Sequence, residues 1–451
     1  MSDALLVGID VGTSTCKAAV VDAAGAELAH GSAPTPWERV PSGAEVDPEA
    51  LFAAAVQAAR EALDAAPAGR VAGLGVTSMA ETGVLLDEDG APVAPAIAWH
   101  DARGAGEAQA IAAELGAFTE RTGLPATPLC SLAKLRWLRE HHAPSRAGRR
   151  WLNVGEWVVR RFGGEEVTER SLASRTGLLD LAALAPYADA LEWAGLPADL
   201  LPELVLAGTP AGIVDGASLP GAEGAVLTVG GHDHLCAGVG VGVTAAGDVL
   251  DSCGTAEALV RVAPPLSPGD IRRCVESGIT VGWHVGDGRQ ALLGSAWSGL
   301  ALREVLDALG ADRAEVDAEA LAMPPGAADG LELDLELHSL DRPPLRLPDA
   351  PRGLVWRAAI DVCEAESAAL LERMAAVAGP HRRVVVAGGW ARDDAFMQAK
   401  AALGAVEAPP VTEAGARGAA LLAGVAAGLY PSIDDLPAVA GGVVPVPTRR
   451  S

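Results

Sequence analysis

"VGIDVGTSTCKAAVVD" (residues 7–22) decides how the rest of the chain is read. Two β-type runs, 4–10 and 16–22, flank the turn "VGTST", and "AAG" opens the next turn, so the stretch reads as a hairpin. Gly12 lets the chain turn tightly. Thr13, Ser14 and Thr15 set hydroxyls beside exposed N–H groups, an arrangement that can cradle phosphate oxygens. Asp10 ends the first strand, where it can face Mg²⁺, a cation that prefers carboxylate and water oxygens. Alone, the turn also reads as an ordinary Thr-rich β-turn, and the G-x-x-x-x-G-K-[ST] spacing of a P-loop is absent. The stretch "VLDSCGTAEALVRV" (249–262) repeats the pattern, with Asp251 just ahead of the Gly254-Thr255 turn inside a second hairpin. The repetition predicts a duplicated domain, its two turns approaching a nucleotide's phosphates from opposite sides of a cleft.

The bulk numbers fit that reading. A chain of 451 residues is long for one hydrophobic core, so two or three domains are expected, and a boundary is placed near 243–247 at "VTAAG". Half of the residues are apolar and few are aromatic, which supports a folded core and argues against global disorder. No run approaches the ~20 apolar residues of a spanning helix. "MSDALLVGID" lacks the basic start of a signal peptide, so a soluble, cytosolic protein without a membrane partner is expected. The six cysteines are scattered with no C-x-x-C pair, which argues against a disulfide framework or a structural zinc and predicts small buried side chains. A net charge of −25 disfavours a sequence-independent grip on nucleic acid, whose phosphates need Lys and Arg.

Further along, 49–66 has helical apolar spacing, 71–79 reads as a buried strand, and 82–93 as a hairpin turning at Glu88-Asp89-Gly90. Residues 104–200 look mainly helical, with Trp137, Trp151 and Trp157 as core anchors. A strand at 225–229 leads into a helix from about 234, and helices are expected over 354–379 and 414–429. In "VVVAGGWARDDAFMQAKAALG" (384–404), Gly388 and Gly389 would let a flat ring or ribose approach the backbone closely. "VLTVGGHDHLCAGVGVG" (226–242) sets His232, Asp233 and His234 side by side: a metal clamp, a catalytic carboxylate or a glycine-rich bend. Histidines two apart at a strand–helix junction need not face the same way, which counts against zinc.

Together these segments resemble the FGGY carbohydrate kinases of the actin-like ATPase superfamily, most closely the xylulokinase-like branch. The matching stretches fall in family order. Besides both Gly-Thr hairpins they include "GVTSMAETGVLLDEDG" (75–90), "PAIAWHDAR" (95–103) with its W-x-D-x-R pattern, and "SLASRTGLLDL" (171–181). "GGHDH" (230–234), "VAGGWARDDAFMQAKAALG" (386–404) and "TEAGARGAALLAG" (412–424) complete the set. The resemblance implies an α/β fold of two actin-like, ribonuclease H-like ATPase domains flanking a central cleft. Domain one would be 1–245, with the sugar site, the first phosphate loop and the catalytic Asp; domain two would be 246–451, with the second phosphate loop and the adenosine site.

Carried across, the resemblance implies Asp10 near Mg²⁺ and Thr13, with Ser14 and Thr15, near the terminal phosphates of ATP. Gly254 and Thr255 would serve the phosphates from domain two, Gly299 the nucleotide, and Gly388, Gly389 and Asp393 the adenosine. Asp233 would be the general base, kept ionised by the helix N-terminus behind it. Ala80-Glu81-Thr82 stand where xylulokinases carry Met-His-Gly, and Glu81 there resembles glycerol kinases, whose preceding Arg is Ala80 here. Glu81 reads as a ligand for adjacent sugar hydroxyls or a solvated turn carboxylate. Asp101 and Arg103 line the sugar cleft or form a structural ion pair; His232 and His234 touch sugar, orient Asp233 or pack locally. Trp99 packs or flanks the sugar.

The expected activity is ATP-dependent phosphorylation of a ketose such as xylulose, or of a related polyol or deoxyketose, by an enzyme that closes on its substrate, with a homodimer open to it. Two other classes compete: a nucleotide-binding actin-like regulator without sugar kinase activity, and a metal-dependent hydrolase using the His232-Asp233-His234 run. The second has no use for Asp233, Glu81 and Asp101 in one cleft, and the third lacks a second His/Asp cluster.

Overall fold

The computed structural model describes residues 4–41, 43–324, 326–339, 344–439 and the backbone of 442–443. Two compact units emerge: one from Met1–Thr244, Pro264–Ala291 and Glu413–Ala438, the other from Ala245–Ala263, Leu292–Thr412 and Val439–Ser451. The tail "VVPVPTRRS" (443–451), which reads from sequence as a mobile end or a docked strand, begins in the short strand Gly442–Val443, paired antiparallel with Val406–Ala408, and from 444 lies outside the described residues.

In the first unit, β1 (Ala4–Val11), β2 (Thr15–Asp22) and β3 (Glu27–Pro34) form an antiparallel meander, and the strands Arg70–Ser78 and Val226–His232 extend it in parallel from β1. Alternation along β1 divides the two faces of this sheet. Leu5, Val7, Ile9 and Val11 share a core with Leu51, Ala55 and Ala59 of α1 (Pro48–Ala65). Leu6 instead packs with Ala416 and Ala420 of the Ala414–Ala426 helix. α1 starts where Asp47 accepts a hydrogen bond from Glu49 N–H and Pro48 takes the first turn, a cap contributing about 1 kcal/mol. The opposite helix lies unusually close to the sheet: a Cβ on Gly8 would sit 1.8 Å from Ala416 O, and one on Gly75 2.1 Å from Ala419 O. The small-residue helix is thereby seated directly on β1, which carries Asp10, and on its neighbour Arg70–Ser78.

The second unit opens on its own antiparallel hairpin, Asp248–Cys253 with Glu257–Ala263. The strand Arg383–Ala387 pairs in parallel with Asp248–Cys253, and Val406–Ala408 pairs in parallel with Arg383–Ala387. Helices Ser298–Leu309, Arg313–Leu321, Arg352–Ala378 and Asp394–Lys400 belong to this unit.

One expected element differs. The turn at Glu88-Asp89-Gly90 forms, closed by Asp87 N–H to Ala91 O, but only a single bridge, Leu86 to Pro92, follows it. Pro92 has no N–H to continue a ladder, and Gly83–Leu86 pairs instead with Arg150–Asn153. The middle of the chain carries several such short strands among its helices. Trp151 and Trp157 are buried there, whereas Trp137 is only partly so. All six cysteines are buried and free. Among the described residues, no helix is long and apolar enough to cross a membrane.

Candidate functional site

The parallel strands of the first unit deliver its polar groups. Asp10 is the penultimate residue of β1, and the strand Val226–His232 runs straight into the helix Asp233–Gly240. Asp233 is the first residue of that helix, accepting from His234 N–H at 2.7 Å and lying 3.2 Å from His232 Nε2. Burial holds both imidazoles below their usual range, His234 at about 4, so both are neutral and the His232 contact is not an ion pair. Their rings meet edge to face at 5.5 Å.

The helix N-terminus does not keep Asp233 acidic, as the sequence had suggested. Burial first, and then Glu81's charge, raise its pKa to about 7 against the helix's own N–H donor and Arg175. Asp10 is raised further, to about 8, by burial and then by Asp233, with Lys17 opposing. Its Oδ1 is enclosed without a hydrogen-bond partner among the described residues, and a Cβ on Gly415 would sit 2.3 Å from its Oδ2. The structure thus holds two carboxylates whose charges are mutually unfavourable and largely uncompensated.

The first hairpin turn is braced from outside. Thr35 donates through its hydroxyl to Gly12 O (2.7 Å), and the Trp37 indole donates to Thr13 O (2.6 Å). The Trp99 indole donates to Thr13 Oγ1 at 2.8 Å, leaving that hydroxyl's own proton free to donate elsewhere. Lys134, buried and pushed down to about 8 by desolvation, donates to the carbonyls of Trp99 and Pro128, fixing the Trp99 loop. Ser14 is exposed, and Thr13 and Thr15 are partly so.

Asp101 and Arg103 form an internal ion pair at 3.0 Å, extended to Glu45 and to Ala44 N–H and O. The Asp101 side chain is fully enclosed, because the Gly43–Val46 strand lies across it; a Cβ on Gly43 would come 1.7 Å from its Oδ2. Ala80 is buried. Glu81 holds a left-handed backbone (φ 64°), unusual for a residue with a side chain, and its carbonyl accepts from the Ser131 hydroxyl at 2.8 Å. Its carboxylate meets Arg175 Nε at 2.7 Å, and Arg175 Nη1 donates to Thr280 Oγ1 at 2.8 Å.

Behind Asp233 lies a relay that sequence reasoning missed. Glu169 Oε2 accepts from the Ser171 hydroxyl at 2.5 Å, and Ser171 Oγ accepts from His232 N–H at 2.9 Å. This fixes the strand end where Gly231 adopts φ 95°. Both Arg175 and Ser171 fall in the S-x-A-S-R-T stretch, whose local sequence assigns a role to neither.

In the second unit, Gly254 and Thr255 are exposed at the hairpin turn. Two other loops converge on it: a Cβ on Gly299 would lie 1.9 Å from Gly254 O, and one on Gly388 2.5 Å from Cys253 O. Leu300 N–H donates to Thr255 O at 2.8 Å. Gly389 is exposed and a Cβ there would meet nothing within 4 Å, so the backbone is open to a flat group. Asp393 is bound by Arg313 (2.6 Å), whose guanidinium also covers the Trp390 ring at 4.0 Å. Beneath the turn, the fully buried Lys400 ammonium contacts Asp251 (2.9 Å), Glu257 (2.5 Å) and Glu364 (3.2 Å).

Two units, each opening on an antiparallel hairpin with a Gly-Thr turn and continuing in parallel strands, define the actin-like, ribonuclease H-like ATPase class. The xylulose kinase of Rhodospirillum rubrum has this fold, with a TM-score of 0.85 at 25% identity over 98% of this chain and 94% of that one. The model of the N-terminal domain of the FGGY family of carbohydrate kinases matches residues 5–240. A glycerol kinase from Chromobacterium violaceum is 31% identical over 471 residues, 97% of this chain and 92% of that protein. The chain belongs to the FGGY family of carbohydrate kinases. A xylulose kinase from Streptomyces rubiginosus is 34% identical over 277 residues, which is 59% of this chain and 56% of that protein. The chain thus matches little more than half the length of that xylulose kinase, and nearly the full length of the glycerol kinase.

Proposed function

We propose that the chain transfers the terminal phosphoryl group of ATP to a hydroxyl of a ketose or polyol, with Asp233 as general base. The observation that carries this is Asp233 itself: a partly open carboxylate at a helix start, oriented by the His234 amide, 3.2 Å from His232 Nε2 and beside Glu81 and Arg175. A sugar hydroxyl is too weak an acid to ionise before attack, so its proton leaves late, to a carboxylate within hydrogen-bond reach. Asp233 accepts that proton at a carboxylate oxygen. A base raised to about 7 matches the working pH better than an ordinary aspartate would.

Glu81 and Arg175 bind and orient the acceptor. Asp101 and Arg103 act behind them, setting the loop that carries Trp99. Thr13, Ser14 and Thr15 receive phosphate oxygens, and Gly254 and Thr255 do so from the second unit. Gly299, Gly388, Gly389 and Asp393 form the adenosine side. Here 1–245 would supply acceptor binding and the base, and 246–451 the nucleotide loops. Mg²⁺ fits Asp10, whose enclosed, unpartnered oxygen and raised pKa are what a carboxylate shows when a hard cation is its natural counter-charge. When bound, Mg²⁺ neutralises charge on the transferring phosphoryl group.

The test is ADP release over a panel of ketoses, polyols and deoxyketoses, with unaltered protein and Asp233→Ala. Acceptor-stimulated turnover that the substitution abolishes is expected. Stimulation that survives it would remove Asp233 as base, and no stimulation by any acceptor would remove the kinase reading.

A further inference from the structure

Glu81 has a partner that its local sequence does not announce. Arg175 arrives from a turn 94 residues further on, just after the short helix Arg170–Ala173, and places Nε 2.7 Å from Glu81 Oε1. Its Nη1 is held by Thr280 Oγ1 at 2.8 Å. With two of its three nitrogens occupied, the guanidinium is fixed in one plane. Nη2 and Glu81 Oε2 then carry no hydrogen bond among the described residues, and the two side chains are 14% and 12% exposed. A donor and an acceptor are thus left over on one ion pair, near enough to Asp233 that both charges act on it.

We propose that Arg175 is a specificity-determining residue of the acceptor site: its Nη2 donates to an oxygen of the substrate while Glu81 Oε2 accepts from the neighbouring hydroxyl, selecting uncharged acceptors with adjacent oxygens. This rests on the kinase reading above. The two side chains offer one donor and one acceptor, the pattern that a vicinal diol or a hydroxyketone completes. Charge decides the class. Arg175 is already paired by Glu81, so it is no free cation for a carboxylate, and Asp233 is a second acidic group near it. An anionic sugar acid would bring its carboxylate beside that of Glu81 with no unpaired guanidinium charge to meet it, and like-charge placement is a means of rejecting a wrong partner. Glu81's left-handed backbone makes the arrangement costly to build, so it is maintained by the contacts that hold it, Ser131 on the carbonyl and Arg175 on the carboxylate.

The experiment uses the full chain with MgATP and measures ADP release with D-xylulose, D-ribulose and glycerol as uncharged acceptors and D-gluconate as the anionic one. The unaltered protein is expected to use at least one uncharged acceptor with kcat/KM at least 100-fold above that for gluconate. Arg175→Met should raise the KM for the uncharged acceptor at least 20-fold while the KM for ATP stays within twofold; Arg175→Lys, which keeps charge but loses the fixed fork, should fall between. Glu81→Gln, which frees the guanidinium from its pair, should narrow the ratio of uncharged acceptor to gluconate at least tenfold, an effect that a purely structural pair would not produce. Should Arg175→Met fail to fold by circular dichroism, Arg175→Lys and Glu81→Gln decide. An unchanged acceptor KM in the arginine variants, a ratio unmoved by Glu81→Gln, or a preference for gluconate would each overturn the proposal. Absence of stimulation by every acceptor would instead sink the kinase reading, and this inference with it.

Discussion

Asp233→Asn separates what the carboxylate does for the reaction from what it does to the fold. In the folded chain this aspartate titrates at about 7 against a reference of 3.8, so folding takes up protons at it. Its destabilising effect is absent below about pH 4, where both states are protonated, and grows as pH rises toward 7. There the unfolded chain has ionised while the folded one resists. The gap of about 3 units at ~1.4 kcal/mol each sets an upper bound of about 4 kcal/mol. The side chain is 24% exposed, and solvent screening brings the working figure to roughly half of that, about 2 kcal/mol. Asparagine keeps the shape and removes the charge. In metal-free buffer at pH 8 the variant should therefore melt ~4 °C above the unaltered protein, taking ~2 °C per kcal/mol for a unit of this size. At pH 4.5 the difference should shrink to ~1 °C or less. Turnover should fall by ~10²–10⁴, the usual contribution of a positioned base. Scanning calorimetry at the two pH values and an ADP-release assay on the same preparations check both halves. A variant that melts no higher at pH 8, or that keeps turnover within tenfold, refutes the assignment of a desolvated base.

Trp37→Phe removes the indole donor on Thr13 O, and one hydrogen bond of about 1 kcal/mol predicts ATP binding weaker by ~5-fold in calorimetry. Ser171→Ala leaves the His232 N–H unpaired next to Asp233; a loss of ~1–3 kcal/mol in urea unfolding is expected, with kcat falling more than the acceptor KM changes. Lys400→Met strips the counter-charge from Asp251, Glu257 and Glu364 and should cost ~3–5 kcal/mol. That cost should be larger at pH 8 than at pH 5, because Asp251 and Glu364 are held up at about 6 and about 7 and protonate in the acid range. Urea midpoints at the two pH values give the comparison.

Local pattern carries what is local. The Asp-then-Gly-Thr hairpins and the helical apolar spacing of 49–66 are decided by neighbours a few residues apart, and both were legible. The strand Gly83–Leu86 was assigned the wrong partner because the turn after it is real, while Pro92 stops the ladder beyond the turn and residues 150–153 take its place. Gly8 and Gly75 look like generic strand glycines; only the approach of the Ala414–Ala426 helix shows that no larger residue fits. At the site, Asp233 was legible from its glycine-led junction, but its pKa was not. The helix N-terminus that lowers it is local, whereas the burial and the Glu81 charge that raise it come from distant strands. Arg175 was legible as part of a motif but not as Glu81's partner, since that pairing spans 94 residues and needs a positive φ at Glu81. The enclosed Asp101–Arg103 pair depends likewise on the strand across it.

The two units treat buried negative charge in opposite ways, and the contrast fits their proposed tasks. Beneath the second unit's Gly-Thr turn, three carboxylates gather round Lys400, an internal cation that cannot leave. Asp251 and Glu257 flank that turn in sequence, so the ammonium fixes its geometry whether or not anything is bound. In the first unit, no such lysine bridges Asp10 and Asp233 among the described residues; burial holds both pKa values high, with the charge of Asp233 adding to the rise at Asp10 and that of Glu81 to the rise at Asp233. An internal cation there would lower those values and stabilise the fold, but it would also occupy the space needed by a dication and weaken Asp233 as a base. The stability forgone at Asp233, about 2 kcal/mol, is therefore the cost of leaving the position open to a cation and to a proton that come and go.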